Sequence, residues 1–285
     1  MSNWQQEYQD KLCSLDEALD RFIPDGTSVF CGTFEVAGGI LVPMLERIKE
    51  GRLKGIKLYG GITSEDLHLD ALKADFNALH YHNYFTGGNE RNGIASGTTS
   101  YVPLHLHRTK NLVENDGIDV AVIPMTPPDK HGYCNIGHVG CRPEGIRAAK
   151  KVIAQINPSV PYVFGLERNL HVSQIDGFVE IDQKMTQMPI AEPKPEEKIV
   201  GDIICELIPD GSCIQLGFGS IANAIAEGLK ARKHLGVHSE MFNDAMAELQ
   251  EMGVIDNSRK NYLPGVSVAG FASGQQYLYD FIDHN

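Results

Sequence analysis

The sequence predicts an α/β protein with two open domains related by duplication, the second incomplete in this chain. Apolar runs bounded by turn residues alternate with helical patterns along most of the length, which is how largely parallel sheets with crossover helices read. FIPDGT at 22–27 returns as LIPDGS at 207–212, an offset of 185 residues. The offset persists downstream, with Gly32 over Gly217, Ala37 over Ala222 and Ile40 over Ile225. A second copy as long as the first would run to about residue 370, so 285 residues are expected to hold one whole domain and the opening part of another. The expected division is 1–190 for the first domain, 191–197 for a linker and 198–285 for the second. The stretch 188–197 (MPIAEPKPEE), with three prolines, marks the join.

Taken in order, Ser14-Leu-Asp-Glu17 reads as a capping box that opens the first helix. A strand is expected over 27–32, a helix over 39–50 and a strand over 56–60. Gly87-Gly-Asn-Glu-Arg91, with Gly97 to Tyr101 beyond it, reads as a polar glycine-rich loop, either facing a ligand or plain surface. Buried strands follow at 119–125 and 152–156. The pattern resumes with a helix over 197–207, a strand over 212–216, a helix over 221–230 and a short strand over 235–238. A helix over 241–253 and a closing helical pattern over 274–285 complete the chain.

Composition narrows the function classes. At 42% hydrophobic and 22% charged residues the chain has the make-up of a globular core, which excludes disorder, collagen and coiled coil. No apolar run reaches the ~18 residues of a spanning helix, and the polar start MSNWQQEYQDK lacks signal-peptide character. A net charge of −12 argues against nucleic acid as a partner, though not against a small anion held by local groups. Six cysteines without a C-x-x-C pair point to a reducing compartment, and the expectation is a cytoplasmic protein with no membrane partner.

The strongest chemical signal is Gln215-Leu-Gly-Phe-Gly-Ser-Ile-Ala222, a strand end, a glycine-rich turn and a helix start. Such a turn lets backbone N–H groups approach a ligand and aims a helix N-terminus at an anion. Gly217-x-Gly219-x-x-Ala222 also matches a dinucleotide fingerprint, and Glu240, 18 residues later, stands where a ribose-binding acid would. The plainer alternative is a β–α turn with small residues for packing. Glu240 itself, just past a strand end, could be a nucleophile, since a carboxylate needs no base to be ionised at pH 7. Against this stands a helix-entry glutamate favoured by the dipole of the helix expected over 241–253. His238 and Ser239 suggest a serine nucleophile with a base, but neighbours on a strand point to opposite faces and no G-x-S-x-G elbow is present.

Other clusters read as structure. Pro127-Pro-Asp-Lys-His-Gly-Tyr-Cys-Asn-Ile136 is a rigid loop after a strand, a good edge for a site. Its neighbourhood holds His131, Cys134, His138 and Cys141, a spacing that is not a usual zinc pattern, so no metal is expected. His80-x-His82 and His105-x-His107 each share a strand face without a third ligand. Lys230-Ala-Arg-Lys-His234 places cations where they complement a helix C-terminus, or where they could meet phosphates.

Together DVAVIPMTPPDKHGYCNIG (119–137), LIPDGSCIQLGFGSIANAIAEGL (207–229) and KHLGVHSEMFND (233–244) resemble the acetyl-CoA hydrolase/transferase family, among the family I CoA-transferases. WQQEYQDKLCSLDEAL (4–19) and GQQYLYDFID (274–283) fit as well, so the likeness covers nearly the whole chain. It is closest to the branch that acts on butyrate, 4-hydroxybutyrate and acetate. The resemblance implies two duplicated open α/β domains of that family type, and Glu240 of the H-S-E-M motif as catalytic nucleophile. The glutamate would attack an acyl-CoA thioester to form an acyl–glutamyl anhydride, and CoA would return to form a glutamyl-CoA thioester. A second acid would then reverse these steps, with no metal and no permanently bound cofactor. Gly217, Phe218, Gly219, Ser220 and Ile221 match the family's CoA-binding loop, and Gln215 before them is the candidate substrate-binding residue.

The implied partners are acyl-CoA, short-chain carboxylic acids and further copies of the chain in a homo-oligomer. Two departures stand out. The family's second domain continues past residue 285, where a later glycine-rich segment contributes contacts, so a separate chain completing that domain is also an expectation. Cys31-Gly-Thr-Phe-Glu-Val-Ala-Gly39 lacks the Pro pair or His of some relatives, which leaves acyl specificity open. An acyl-CoA hydrolase on the same scaffold, an NAD-binding oxidoreductase and a non-catalytic interaction module are the alternatives.

Overall fold

A computed structural model describes residues 4–72, 75–140 and 142–285, and it divides by internal contacts into two compact units, one up to Thr186 and one over Gln187–Asp283. In the first unit the strands are β1 (Ser28–Phe34), β2 (Ile56–Thr63), β3 (Leu79–Asn83), β4 (Thr99–Tyr101), β5 (Ile118–Met125), β6 (Tyr133–Asn135), β7 (Ala149–Ile156), β8 (Asn169–His171) and β9 (Gly177–Glu180). Seven of them form one parallel sheet in the order β4-β3-β2-β1-β5-β7-β9, while β6 and β8 make a small antiparallel pair. Its helices are α1 (Trp4–Lys11), α2 (Leu15–Phe22), α3 (Gly38–Lys49), α4 (Gly88–Ser96), α5 (Thr109–Asp116) and α6 (Arg142–Ala148).

Both faces of this sheet are covered, as a parallel sheet requires. Val29 and Cys31 of β1 pack with α2 and α3 in one cluster, and Phe30 between them packs on the other face with Tyr8, Ile123 and Phe178. Chain order reverses between β1 and β5, so the loops after these strands border the crevice where open α/β sheets place ligands.

The second unit holds α7 (Pro195–Glu206), β10 (Cys213–Ile214), α8 (Ser220–Leu229), β11 (Gly236–Phe242), α9 (Asp244–Glu251), β12 (Val268–Ala272) and α10 (Gln276–Ile282). Its three strands pair in parallel in the order β10-β11-β12. Ile214, Leu216 and Val237 pack against Ala222, Leu229, Met246 and Leu278 from the helices.

The two units share a local device. Thr27 Oγ1 donates to the Pro24 carbonyl at 2.6 Å, and Ser212 Oγ donates to the Pro209 carbonyl at 2.7 Å. Gly26 (φ 83°) and Gly211 (φ 80°) take the left-handed step that closes each P-D-G turn. Asp25 accepts the Lys54 N–H at 2.9 Å, and Asp210 accepts the Lys233 N–H at 2.8 Å. The repeated sequence therefore folds into the same turn, followed each time by a strand, a helix and a parallel strand.

Several elements differ from expectation. The capping box at Ser14 is present, with Glu17 N–H donating to Ser14 Oγ, but it opens the second helix. The first, α1, is held by tertiary contact: buried Tyr8 lies 4.6 Å from the Phe178 ring and donates to Glu180. Residues from Gly88 form helix α4 instead of a loop, because Glu90 is buried and accepts from Thr63 and from the Gly87 N–H at 2.8 Å. His105 is the N-cap of a 3-10 turn, Leu106–Arg108, and His107 lies within it, so the two do not share a strand face. Among the described residues no helix is long and apolar enough to cross a membrane.

Candidate active site

Glu240 lies inside β11, not beyond the end of a strand over 235–238 as the sequence suggested. The helix expected from 241 starts only at Asp244, so Glu240 is not a helix-entry residue. Along β11 exposure alternates: Val237, Ser239 and Met241 are buried, while His238 and Glu240 are exposed. The strand is held in that orientation by Ser239, whose hydroxyl accepts from the Leu216 N–H at 3.4 Å and donates to the Leu216 carbonyl at 3.3 Å. Ser239 is thus turned away from His238, and the serine-nucleophile alternative has no geometry behind it.

The paired register carries Cys213 opposite Gly236 and Ile214 opposite Val237, and the Ser239–Leu216 contact continues it. Carried one step further, the same offset sets Gly217 level with Glu240, beyond the last paired residues of β10. On the other side His238 pairs with Val268 and Met241 with Phe271, which sets Gly270 against Glu240. A Cβ on Gly270 would come within 2.9 Å of the Glu240 carbonyl oxygen, so only glycine fits there without a shift. A Cβ on Gly217 would meet nothing within 4 Å. Glu240 therefore stands level with two glycines, and its carboxylate has no hydrogen-bond or ion-pair partner among the described residues.

The glycine loop is anchored from behind. Asn243, the N-cap of α9, accepts the Met246 N–H and donates through Nδ2 to the Gly217 carbonyl at 2.8 Å. Gly219 (φ 107°) is the N-cap of α8 and has no side-chain cap, which leaves the first amides of that helix without a capping side chain. Ser220 donates to Glu197 at 2.9 Å, while Phe218, Ile221 and Gln215 are exposed. The structure thus brings Gln215, the loop and Glu240 to one edge of the second sheet, together with Asn243 and Gly270, which no chemical motif in the sequence singles out. Asn before D-A-M-A is an N-cap signal that could have been read. A lone glycine in V-A-G-F-A carries no such signal.

On the helix side of the loop a cleft of about 1260 Å³ is lined by Phe218, Gly219, Met241 and Asn243, with Glu240 absent from its walls. Carboxylates outnumber cations there, with Glu192, Asp202 and Asp244 in the wall and Lys230 held by Glu227 and Glu248 at 2.7 and 2.8 Å. That balance does not suit phosphates. Arg232 of the same basic cluster donates to the Cys205 carbonyl at the end of α7, and His234 Nδ1 lies 2.7 Å from Asp256, so these side chains serve local structure.

In the first unit the loop after β5 is rigid: Asp129 Oδ1 accepts from the His131 and Tyr133 N–H groups, and Gly132 lies against Trp4. Burial pushes the Cys134 thiol up to about 12 and, with Arg142 and Arg168 nearby, the His138 imidazole down to about 3. Cys141 lies outside the described residues, among which no group of three or more His, Cys, Asp or Glu could hold a metal. The His80 and His82 rings lie 4.1 Å apart, tilted by 36°, and His80 meets Ser100 Oγ at 2.9 Å.

Glu35, in the short loop after β1 at the β1/β5 crevice, is a titratable group that no motif in the sequence marks. It is buried, and burial pushes its carboxyl up to about 7 despite the nearby Arg142 guanidinium. Arg142, fully buried, donates to the backbone carbonyls of Glu35 and Ile136.

Comparison with known proteins places the chain among relatives of one family. The acetyl-CoA hydrolase/transferase N-terminal domain matches residues 1–191. The chain is 32% identical over 290 residues to a succinyl-CoA:cyclohexane-1-carboxylate CoA transferase of Geobacter metallireducens, covering 99% of this chain and 64% of that protein. It is 32% identical over 293 residues to a 4-hydroxybutyrate coenzyme A transferase of Clostridium kluyveri, covering 99% and 66%. The chain thus spans just under two thirds of the length of these relatives. Among solved structures, RipA from Yersinia pestis superposes with a TM-score of 0.92 at 29% identity, covering 99% of this chain and 68% of that one. A 4-hydroxybutyrate CoA-transferase from Porphyromonas gingivalis gives 0.78 at 26% identity, covering 99% and 67%.

Proposed function

The chain belongs to the acetyl-CoA hydrolase/transferase family, and from that premise we propose that it moves CoA between an acyl-CoA and a short-chain carboxylate, with Glu240 as the nucleophile. The observation that carries this reading is the posture of Glu240: an exposed, unengaged carboxylate on a locked strand, with Gly270 level with it on β12 and open space at Gly217 of the glycine loop. In the proposed sequence the carboxylate attacks the thioester carbonyl and CoA leaves. CoA then attacks the glutamyl carbonyl of the anhydride, releasing the first acid and conserving thioester energy in glutamyl-CoA.

Each tetrahedral intermediate carries an oxyanion that needs preorganised donors. The amides of Gly217, Phe218, Gly219, Ser220 and Ile221, at the start of α8, suit that role and the contact with CoA, and exposed Gln215 lies on the approach. Binding of the distant nucleotide part of CoA would supply energy for the step at the thioester. The acyl groups proposed are acetyl, butyryl and 4-hydroxybutyryl, and CoA acts as substrate without a resident cofactor. The same reading includes domains at 1–190 and 198–285 joined by 191–197, a cytoplasmic location and a homo-oligomer, with a further chain completing the second domain as one form of assembly.

Intact mass with and without butyryl-CoA tests the proposal. A 31.4 kDa species gaining one CoA less water, mapped to the peptide that holds Glu240, is the expected result. An adduct mapped to a different residue would remove Glu240 from its role.

A further inference from the structure

When Glu240 attacks a thioester, negative charge moves from its carboxylate to the sulfur of CoA. That sulfur must stay close, because it returns to the glutamyl carbonyl in the next step. The surface around Glu240 bears on how the charge is held. Among the residues of β10, β11 and β12, His238 is the only side chain able to carry positive charge. It is exposed on the same face as Glu240, two residues earlier, which places the two Cα atoms about 6.6 Å apart along an extended strand. The shared face is enforced by the Ser239–Leu216 hydrogen bonds. The imidazole is braced by Tyr262, whose ring stacks on it at 5.8 Å and 25°. Other groups near it leave the role open: Lys260 spends its ammonium on the carbonyls of Val237 and Val266, and Cys213 on β10 lies nearer the start of the strand.

We propose that His238 is a further catalytic residue, which as an imidazolium pairs with the CoA thiolate between its departure and its return. The proposal rests on the transferase reading above. In the first step a carboxylate lone pair forms the C–O bond of the anhydride, the C–S bond breaks, and sulfur takes the electron pair. The imidazolium faces that sulfur as a counter-ion, sharing its proton without a net transfer. In the second step the sulfur pair forms a C–S bond to the glutamyl carbonyl, the C–O bond breaks, and the first acid leaves as a carboxylate. Charge and protons balance with no further reactant. The groups facing His238 that could alter its titration are Glu240 on its own strand, Cys213 on β10 and Tyr262 and Lys260 from the loop before β12; β12 itself contributes none.

The test follows covalent CoA adduct formation on the full chain with butyryl-CoA by rapid-quench mass spectrometry, from about pH 5 to 8, where imidazoles titrate. The unaltered chain should form the adduct more slowly as pH rises. His238→Gln should slow it about 100-fold, the scale of losing one preorganised charge-stabilising group, and abolish the pH limb. His238→Lys, which keeps a cation on that face, should recover most of the rate without the limb, a rescue that a structural role would not give. An unaltered rate and limb in His238→Gln would overturn the role of His238 alone. No adduct on the unaltered chain at any pH would overturn the transferase reading, and the role of His238 with it.

Discussion

Asn243 Nδ2 donates to the carbonyl oxygen of Gly217 at 2.8 Å while its Oδ1 caps α9, so one side chain ties the glycine loop to the helix that follows Glu240. Asn243→Asp keeps an N-cap acceptor but replaces the donor with an anion facing a carbonyl. The N-cap is kept, since caps of either type are comparable, and stability should fall by about 1 kcal/mol for the lost hydrogen bond to Gly217. Protection against melting by CoA should be lost, because the loop amides no longer hold their position. Asn243→Ala should lose about a further 1 kcal/mol of stability with the cap. Undiminished CoA protection in Asn243→Asp would mean the loop holds its shape without this tie.

Glu240 is exposed and unpaired, so removing its charge should cost little stability, within about 0.5 kcal/mol as for ordinary surface changes. Glu240→Gln is therefore expected to melt with the parent and still be protected by CoA, yet form no covalent adduct and transfer no CoA. Transfer at the parent rate in this variant would end the glutamyl mechanism.

How far the site could be read in advance depended on whether its geometry was local. The glycine turn and the P-D-G turns are set by residues in immediate succession, and both lie where the sequence places them. Strand β11 reads short because Ser239, a polar residue, occupies an inward position of the alternation and breaks the pattern next to the proposed nucleophile. Its hydroxyl is satisfied by Leu216, 23 residues away, and that pairing has no local signature. Likewise Gly87 and Gly88 suggest a loop until buried Glu90 reaches Thr63 on β2. Gly270 matters only through its register with Glu240 on the neighbouring strand.

The two glycines level with Glu240 should respond in opposite ways to the same added methyl. At Gly270 the new Cβ would sit 2.9 Å from the Glu240 carbonyl, so β12 has to shift and Gly270→Ala should lose about 1–3 kcal/mol of stability. At Gly217 nothing lies within 4 Å, and Gly217→Ala should fold as stably as the parent or slightly better. The methyl would instead stand on the glycine loop near the proposed nucleophile and slow adduct formation. Denaturant unfolding and adduct kinetics on both variants check this, and equal stability losses at the two positions would contradict the register.

Glu35 makes the stability of the first unit depend on pH in a direction opposite to ordinary salt-bridged acids. Its carboxyl is pushed up to about 7 by burial at the β1/β5 crevice, so the folded state holds its proton more tightly than the unfolded chain does. The stabilisation is full below the ordinary glutamate range near pH 4.3 and is lost as pH rises through about 7, a change of roughly 3 kcal/mol. Glu35→Gln, neutral at every pH and of the same shape, should remove that slope and be the more stable protein at pH 8. His80 and His82, both pushed down chiefly by burial, act in the other direction: below the ordinary imidazole range they destabilise the fold as pH falls. Comparing unaltered protein with Glu35→Gln between pH 5 and 8 isolates the glutamate, since the histidine contribution is common to both. Parallel stability curves for the two proteins across that interval would show that Glu35 keeps its charge when folded and that Arg142, not burial, sets its state.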